Sequence, residues 1–270
     1  ANTVPLDILK DHQFDLSVIG EAEITFCEIA DSFDKGKNIE DIKNEKSIKG
    51  LAFLDKENKL AYTEPRPLIQ NLDDIPMPAR HLLPMHLYKT TEAKSSRHPC
   101  HSMMTARGCP FPCTFCFQDI YKTSYRTHSP KRVVDEMELL KNKYGAREIS
   151  IWDEHFTLKK TRVLELCKEI KERGINIPWS CVSRVDGINQ EMLKEMKSAG
   201  CEFISYGVES GSERMLKVIK KLETKDLFRK GFKMTKEAGI KTRAFFMLGL
   251  YTETLEDMQE TIDFAKELDP

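Results

Sequence analysis

The chain has 270 residues, of which 40% are apolar and 31% charged, which is typical of a globular protein with one large domain or two smaller ones. Lys and Arg number 42 and Asp and Glu 43, so no excess charge draws the protein toward nucleic acid or an anionic membrane. No apolar run reaches the length of a membrane span, and no basic segment followed by an apolar one opens the chain. We therefore expect a cytoplasmic protein with no nucleic-acid partner and no membrane span.

The two ends of the sequence are unusual. The chain begins without Met, opens on a fragmentary helix–strand pattern and stops at Asp269-Pro270, directly after a predicted helix. From these ends we expect a piece of a longer protein.

The first hundred residues predict three successive segments. A short buried strand near residues 15–20 ends in a Gly turn and precedes a helix over 23–34. Apolar runs at 49–54 and 59–63 flank a polar turn and predict a hairpin. Five prolines between residues 65 and 84 then exclude long helix or central strand. We interpret 36–100 as a connector between two domains.

From about residue 101 the sequence repeats one pattern of apolar strand, polar loop, amphipathic helix and terminating Gly. The predicted strands are 102–106, 148–152, 178–182, 202–208 and 242–248. Four of the helices end at Gly145, Gly174, Gly200 and Gly239, where a left-handed residue is expected. Five βα units predict an α/β fold with a parallel sheet covered by helices, either a barrel or a doubly wound sheet.

Three cysteines lie together on the loop after the first strand of this repeat: Cys109, Cys113 and Cys116. Three closely spaced thiolates can ligate one iron–sulfur cluster and leave one iron without a protein ligand, open to a substrate or cofactor. Gly108, Pro110 and Pro112 suit a tight loop around a metal. Three such cysteines favour a metal site in a reducing compartment over a disulfide framework.

A structural zinc site is the alternative interpretation of these cysteines. Zinc normally takes a fourth ligand. The nearby candidates are Cys100, His98, His101 and His128.

The Cys-x3-Cys-x-aromatic-Cys pattern in this position resembles the signature of the radical S-adenosylmethionine (SAM) superfamily. The resemblance covers about residues 100–270 and implies a partial (β/α)6 barrel, here with about five βα units. It also implies a [4Fe-4S] cluster held by the three cysteines, reductive cleavage of SAM to a 5′-deoxyadenosyl radical, and a reductant such as flavodoxin or ferredoxin. A small-molecule substrate completes the implied partners.

The resemblance extends to the loops that follow each strand. Phe115 takes the aromatic position that lies against the adenine in the family, and the segments 152–157, 183–186 and 206–211 correspond to loops that contact SAM. The segment 246–253 is similar to a motif that packs on the adenine, with Tyr251-Thr252 in place of the usual Pro-Gly. The SAM-binding residues implied are Phe115, Asp153, Glu154, Arg184, Glu209, Ser210 and Gly249.

Chemistry gives three of these residues specific roles. The planar fork of Arg184 can pair with the SAM carboxylate, and Glu209 or Glu154 can accept from its ammonium or ribose hydroxyls. The alternative for each charged residue is a structural or solvated charge at a strand end. His155 is interpreted as a loop residue, and Cys27, Cys167, Cys181 and Cys201 as core.

Residues 1–35 resemble the last strand and helix of the cobalamin-binding domain that precedes many radical SAM proteins. Residues 36–100 resemble the connector of those proteins, and 101–270 would be the barrel, incomplete at its C-terminus. This resemblance implies a cobalamin-dependent parent enzyme that catalyses methyl transfer to an unactivated centre or an oxidative cyclisation. Two alternatives stay open: a cobalamin-independent radical SAM enzyme, such as a methylthiotransferase-like or rearranging enzyme, and a non-catalytic zinc or iron–sulfur module.

Overall fold

The computed structural model describes residues 5–10, 14–88, 97–117, 120–121 and 124–270, so residues 89–96 of the predicted connector lie outside the described chain. The chain divides into two compact units. Unit 1 holds the described residues up to Ile75 and those of the segment 117–124, and unit 2 holds Pro76–Cys116 and Tyr125–Pro270. The boundary after Ile75 falls inside the predicted connector, so the two halves of that segment belong to different units.

Unit 1 combines three helices with a small antiparallel sheet. The helices are α1 (Pro5–Lys10), α2 (Ala22–Asp34) and α3 (Ile39–Glu45), and the strands β1 (Ser17–Val18), β2 (Leu51–Leu54) and β3 (Leu60–Tyr62) lie in the order β1-β2-β3. The predicted helix over 23–34 and the predicted hairpin are both present. The prediction that Cys27 is a core residue is wrong: it is exposed, because α2 buries the face that carries Thr25 and Ile29. Asp55 forms the hairpin turn, because its carboxylate accepts from the N–H groups of Glu57 and Lys59 at 2.9 Å.

Unit 2 is built on a five-stranded parallel sheet. The five strands of this sheet are β4 (Cys100–Met103), β7 (Glu148–Ile151), β8 (Trp179–Ser183), β9 (Cys201–Glu209) and β10 (Lys241–Phe246). Two further short strands, β5 (Ala106–Arg107) and β6 (Arg126–Thr127), lie outside it. Its helices are α4 (Pro130–Tyr144), α5 (Lys160–Glu172), α6 (Gln190–Ser198), α7 (Glu213–Val218), α8 (Lys225–Glu237) and α9 (Leu255–Leu268). The sheet order is β10-β9-β8-β7-β4, and β5 pairs with β6 in a separate antiparallel ribbon.

The strand order decides between the two predicted architectures. Successive strands of the sheet are neighbours throughout, without the reversal of order that marks a doubly wound sheet. Right-handed crossovers between consecutive neighbours place the connecting helices on one face, as in a barrel. The predicted α/β fold with a parallel sheet is confirmed, and the order of its strands is consistent with a partial barrel.

The main difference from the predicted elements concerns the first strand of the repeat. The sequence predicts one strand over 102–106, but β4 pairs with β7 only from Cys100 to Met103. Residues Ala106 and Arg107 pair instead with β6. The chain therefore leaves the sheet before the cysteine loop, and the antiparallel ribbon closes the base of that loop.

The core of unit 2 lies between the sheet and its helices, and its largest fully buried side chains include Trp179, Tyr206 and Phe156. Local signals fix the helix ends. The Ser129 hydroxyl accepts from the Arg132 N–H at 3.2 Å, and Gly145 ends α4 with φ +67°. No helix in the described ranges joins enough length to enough apolarity to cross a bilayer.

Candidate functional site

The cysteine loop leaves the β5–β6 ribbon at the carboxyl end of the parallel sheet. Cys109 and Cys113 are half-buried and Cys116 is exposed. A tight turn joins the last two, since the Cys116 N–H donates to the Cys113 carbonyl at 3.1 Å. The loop is also fixed to the segment after α7, because the Thr114 N–H donates to the Ile219 carbonyl at 3.0 Å.

The three thiols lie close enough to influence one another. Burial raises the pKa of the Cys109 thiol, and negative charge on Cys113 or Cys116 would raise it further. Burial also raises the pKa of Cys113; the cations of Lys221 and Arg184 oppose the rise, and two nearby carboxylates add to it. These two cations favour the thiolate, which is the form that ligates iron.

Arg184 connects the end of β8 to the cysteine loop. Its guanidinium carbon lies 3.7 Å from the centroid of the Phe111 ring, and its Nη1 lies 4.0 Å from the Cys113 sulfur. The same guanidinium donates to Asp186 at 2.7 and 3.0 Å and to the Lys221 carbonyl at 2.9 Å. Arg184 is only 4% exposed, so the predicted SAM-binding residue is held rigidly, with Nη1 directed toward the cysteine loop.

A buried charge network that sequence reasoning missed surrounds Arg184. The Lys221 ammonium lies 3.6 Å from the Glu209 carboxylate and 3.5 Å from that of Glu223. Glu223 in turn accepts from the Val185 and Asp186 N–H groups at 2.9 and 3.2 Å. In the sequence, Lys221 and Glu223 stand in an ordinary polar loop, so no signal distinguishes them from solvated charges.

Glu209 reaches this network through an uncommon backbone conformation. Its φ is +69°, a left-handed value that L residues other than Asn and Asp rarely adopt. Its carboxylate folds back over Gly207, where an added Cβ would lie 2.3 Å from Glu209 Oε1. The predicted SAM-binding carboxylate thus occupies space that only a glycine at 207 leaves free. Burial raises the pKa of Glu209, and the Lys221 cation opposes the rise.

Two adjacent carboxylates after β7 have different environments. Asp153 is 2% exposed and accepts from the N–H groups of Thr105 and Ala106 and from the Thr105 hydroxyl. Glu154 is exposed beside the start of the cysteine loop. Partial desolvation raises its pKa, and a hydrogen bond from the Gly108 N–H opposes the rise. Glu154 therefore faces the site, while Asp153 fixes the chain that leads into it.

The three remaining predicted SAM-binding residues are Ser210, Gly249 and Phe115, and their accessibility to solvent differs. Ser210 has no exposed surface, and its hydroxyl contacts that of Thr261 on α9 at 3.1 Å. Gly249 lies in a loop closed by Glu253, whose carboxylate accepts from the Gly249 and Leu250 N–H groups. Phe115 on the cysteine loop is 39% exposed and available to a ligand.

His155 lies in the turn after β7, as the loop assignment predicted, but it is buried beside the cysteine loop, which the sequence did not indicate. It is 1% exposed, and its ring centroid lies 5.6 Å from that of Phe111. Burial lowers its pKa to about 4, so the imidazole is neutral near pH 7. Its Nδ1 has no hydrogen-bond partner among the described residues.

The predicted zinc ligands do not gather at the cysteine loop. The His101 ring faces α4, where Nε2 lies 3.1 Å from the Tyr144 carbonyl. Within the described ranges, no three His, Cys, Asp or Glu side chains form a group that could hold one metal ion. That criterion concerns a single ion. Ligands of a four-iron cluster bind different irons and stand further apart, so a donor set of three thiols from one loop, beside two cations, fits such a cluster.

Comparison with known proteins supports this interpretation. A family model described as "Radical SAM superfamily" matches residues 103–265. An uncharacterized methyltransferase of Pyrococcus horikoshii is 40% identical over 94% of this chain and 53% of its own length. The anaerobic magnesium-protoporphyrin IX monomethyl ester cyclase of Rubrivivax gelatinosus is 29% identical over 97% of this chain and 47% of its own. The chain thus spans about half the length of these curated relatives.

Solved structures show the same fold. OxsB, a cobalamin-dependent SAM radical enzyme solved with aqua-cobalamin, matches with a TM-score of 0.80 and 19% identity, covering 97% of this chain and 38% of that chain. The radical SAM methyltransferase TsrM of Kitasatospora setae, solved with tryptophan and a SAM analogue, matches with a TM-score of 0.79 and 20% identity, covering 99% of this chain and 52% of that chain. From the family match and the relatives together, the chain belongs to the radical SAM superfamily.

Proposed function

We propose that the protein cleaves SAM reductively at a [4Fe-4S] cluster held by Cys109, Cys113 and Cys116. One observation carries the proposal: three thiols of a single loop lie together at the carboxyl end of a parallel sheet, beside a buried charge network. Such loops are where barrel enzymes place their chemistry. When bound, the cluster supplies the electron that breaks a carbon–sulfur bond of SAM and releases a 5′-deoxyadenosyl radical.

The residues of this chain bind and orient the SAM molecule. Arg184 and Lys221 provide the positive charge that a SAM carboxylate requires, and both are fixed by neighbouring carboxylates. Glu209 accepts from the ammonium or the ribose hydroxyls, and Glu154 is the second acceptor at the rim. Phe115 and the Gly249 loop supply the surface against which the adenine packs.

We assign positioning roles to Asp153 and Ser210, although the sequence resemblance implied direct contacts with SAM. The Asp153 carboxylate binds the backbone of Thr105 and Ala106 and lies 3.9 Å from Arg162, so it has no exposed oxygen to offer a ligand. Ser210 is directed into the interface with α9. Both residues support the loops that carry the contacts.

We further propose that the whole protein uses cobalamin for methyl transfer to an unactivated centre or for oxidative cyclisation of a small molecule. The relatives support this, since their names include a methyltransferase and a cyclase. The cobalamin named for OxsB supports it as well. A cobalamin-independent radical SAM enzyme is the second candidate, because one relative of Methanocaldococcus jannaschii is named a putative methylthiotransferase. The eight cysteines, which form no disulfide among the described residues, favour a reducing cytoplasm.

The deciding experiment uses anaerobically purified and reconstituted protein. We expect iron and sulfide at about four each per chain, as a four-iron cluster requires, and 5′-deoxyadenosine from SAM after addition of dithionite. A triple variant with Ala at the three cysteines should retain the fold and lose both signals. One zinc per chain, without iron or sulfide, would overturn the proposal in favour of a structural zinc module. An intact cluster that never yields deoxyadenosine would overturn it in favour of a non-catalytic iron–sulfur module.

A further inference from the structure

A small basic surface lies directly behind the cysteine loop. It consists of Lys217, Val218, Lys220 and Leu222, which we call the α7 patch, and all four side chains are exposed. Leu222 is 65% exposed and Val218 39%. Neither lysine forms an ion pair within the described ranges, although most exposed lysines of α5, α8 and α9 have an acidic neighbour. The patch is therefore locally cationic on a chain whose net charge is −1.

The backbone presents this patch outward at an energetic cost. Lys220 and Leu222 have φ values of +52° and +59°, left-handed conformations that cost an L residue roughly 1 kcal/mol each. The alternate residues turn inward, so that Ile219 and Lys221 are 3% and 5% exposed. A left-handed leucine that exposes its side chain gains nothing from packing. The strained backbone is offset on the inner side of the segment, where it turns Lys221 into the buried charge network.

The inner side of the same segment contacts the cysteine loop. The Ile219 carbonyl accepts from Thr114, which lies between Cys113 and Cys116, at 3.0 Å. The Lys221 carbonyl accepts from Arg184, whose Nη1 is near the Cys113 sulfur. The α7 patch and the contacts with the cysteine loop thus lie on opposite sides of one backbone segment.

We propose that the α7 patch is the docking surface of an acidic one-electron carrier protein that reduces the cluster. The proposal rests on the proposed function, which requires an electron for each SAM cleaved. In this step the reduced carrier loses one electron and the cluster gains it, and no covalent bond or proton is transferred. Two lysines that form no ion pair within the described ranges lie on one segment with two exposed aliphatic side chains, and such a combination of charged and apolar surface is typical of transient interfaces.

Charge reversal tests the docking surface on the reconstituted holoenzyme. The variant is Lys217→Glu with Lys220→Glu, and the matched control is Lys230→Glu with Lys233→Glu, which makes the same charge change on the exposed side of α8. Cluster reduction is followed by stopped-flow absorbance with reduced flavodoxin, an acidic carrier, and separately with dithionite, at about 0.02 M and about 0.3 M salt.

We expect the patch variant to be reduced by flavodoxin at least about tenfold more slowly than the control at low salt. Its rate should also rise rather than fall with added salt, because the reversed charges repel the acidic carrier and salt screens that repulsion. Dithionite should reduce both variants at the wild-type rate. The conservative variant Lys217→Arg with Lys220→Arg should retain the wild-type flavodoxin rate.

Equal flavodoxin rates for the patch and control variants would overturn the docking surface. The proposed function would survive that result as long as dithionite still supports deoxyadenosine formation. A wild-type holoenzyme that yields no deoxyadenosine with dithionite would overturn both proposals. The comparison of the two reductants therefore distinguishes failure of the docking surface from failure of the chemistry.

Discussion

Gly207→Ala tests whether the position of the Glu209 carboxylate, rather than its mere presence, determines SAM binding. The new Cβ would lie 2.3 Å from Glu209 Oε1, which is about 1.1 Å shorter than an ordinary van der Waals contact distance of about 3.4 Å. It would also lie 3.1 Å from the Lys221 ammonium. Since the obstructing atoms are the ends of flexible side chains, we expect the carboxylate to swing away while the strand stays in place.

The free energy of unfolding and the free energy of SAM binding should respond differently to this substitution. Ala in the strand gains about 0.5–1 kcal/mol over Gly in backbone entropy, which offsets the weakened pairing with Lys221. The free energy of unfolding should therefore change by less than about 1 kcal/mol. Loss of a charge-assisted hydrogen bond costs about 1.5–3 kcal/mol, so SAM should bind roughly 10- to 100-fold more weakly.

The measurement is anaerobic calorimetric titration of SAM, combined with urea unfolding of the same preparations. Ser205→Ala is the matched control, because residue 205 lies on the same strand two positions earlier and the change introduces no new atom. The control should bind SAM like the wild type. If Gly207→Ala also keeps wild-type affinity while remaining folded, the Glu209 carboxylate does not contact SAM and our assignment is wrong.

Three further predictions concern stability. Since His155 has a folded pKa of about 4 against 6.5 unfolded, its own contribution should lower the stability of the cluster-free protein by about 3 kcal/mol as pH drops from 6.5 to 4; in urea titrations the wild type should lose about that much more stability than His155→Asn over this range, and equal losses would refute it. Thr252→Gly should raise the free energy of unfolding by about 0.5–1 kcal/mol, because Thr252 has φ +66°; a lower urea midpoint would contradict this. Gly211→Ala should destabilise by about 1–3 kcal/mol or more in the same assay, since its Cβ would lie 2.6 Å from the Glu260 carbonyl of α9; unaltered stability would show that α9 can shift freely.

The fold could be predicted largely from local signals. Helical periodicity, the Ser129–Pro130 start of α4 and the left-handed Gly145 at its end are properties of short segments, and the structure contains each of them. The sequential strand order could not be read from periodicity, because barrels and doubly wound sheets share the same βα repeat. The early departure of the chain from β4 was missed because pairing of Ala106 and Arg107 with β6 depends on residues twenty positions away.

The candidate site was predicted less completely than the fold. The three cysteines are close in sequence, and the charged residues at strand ends meet because parallel strands end at one edge of the sheet. Lys221 and Glu223 were not predicted as site residues, because their burial depends on left-handed backbone at Lys220 and Leu222. Neither Lys nor Leu is a residue type that indicates such a conformation. The burial of His155 within its loop was not predicted for a similar reason, since it depends on packing against Phe111 of a different loop.

The segment from Gly207 to Ser212 shows why a family motif cannot be carried over residue by residue. Its first half faces the site, with Gly207 leaving room for the Glu209 carboxylate. Its second half docks on α9: the Gly211 N–H donates to the Thr261 hydroxyl at 2.9 Å, and the Ser212 hydroxyl donates to Asp257 at 2.6 Å. Left-handed backbone at Glu209 divides the two halves, because it reverses the direction in which the chain presents its side chains. Substitutions before this point should therefore change ligand affinity, and substitutions after it should change stability.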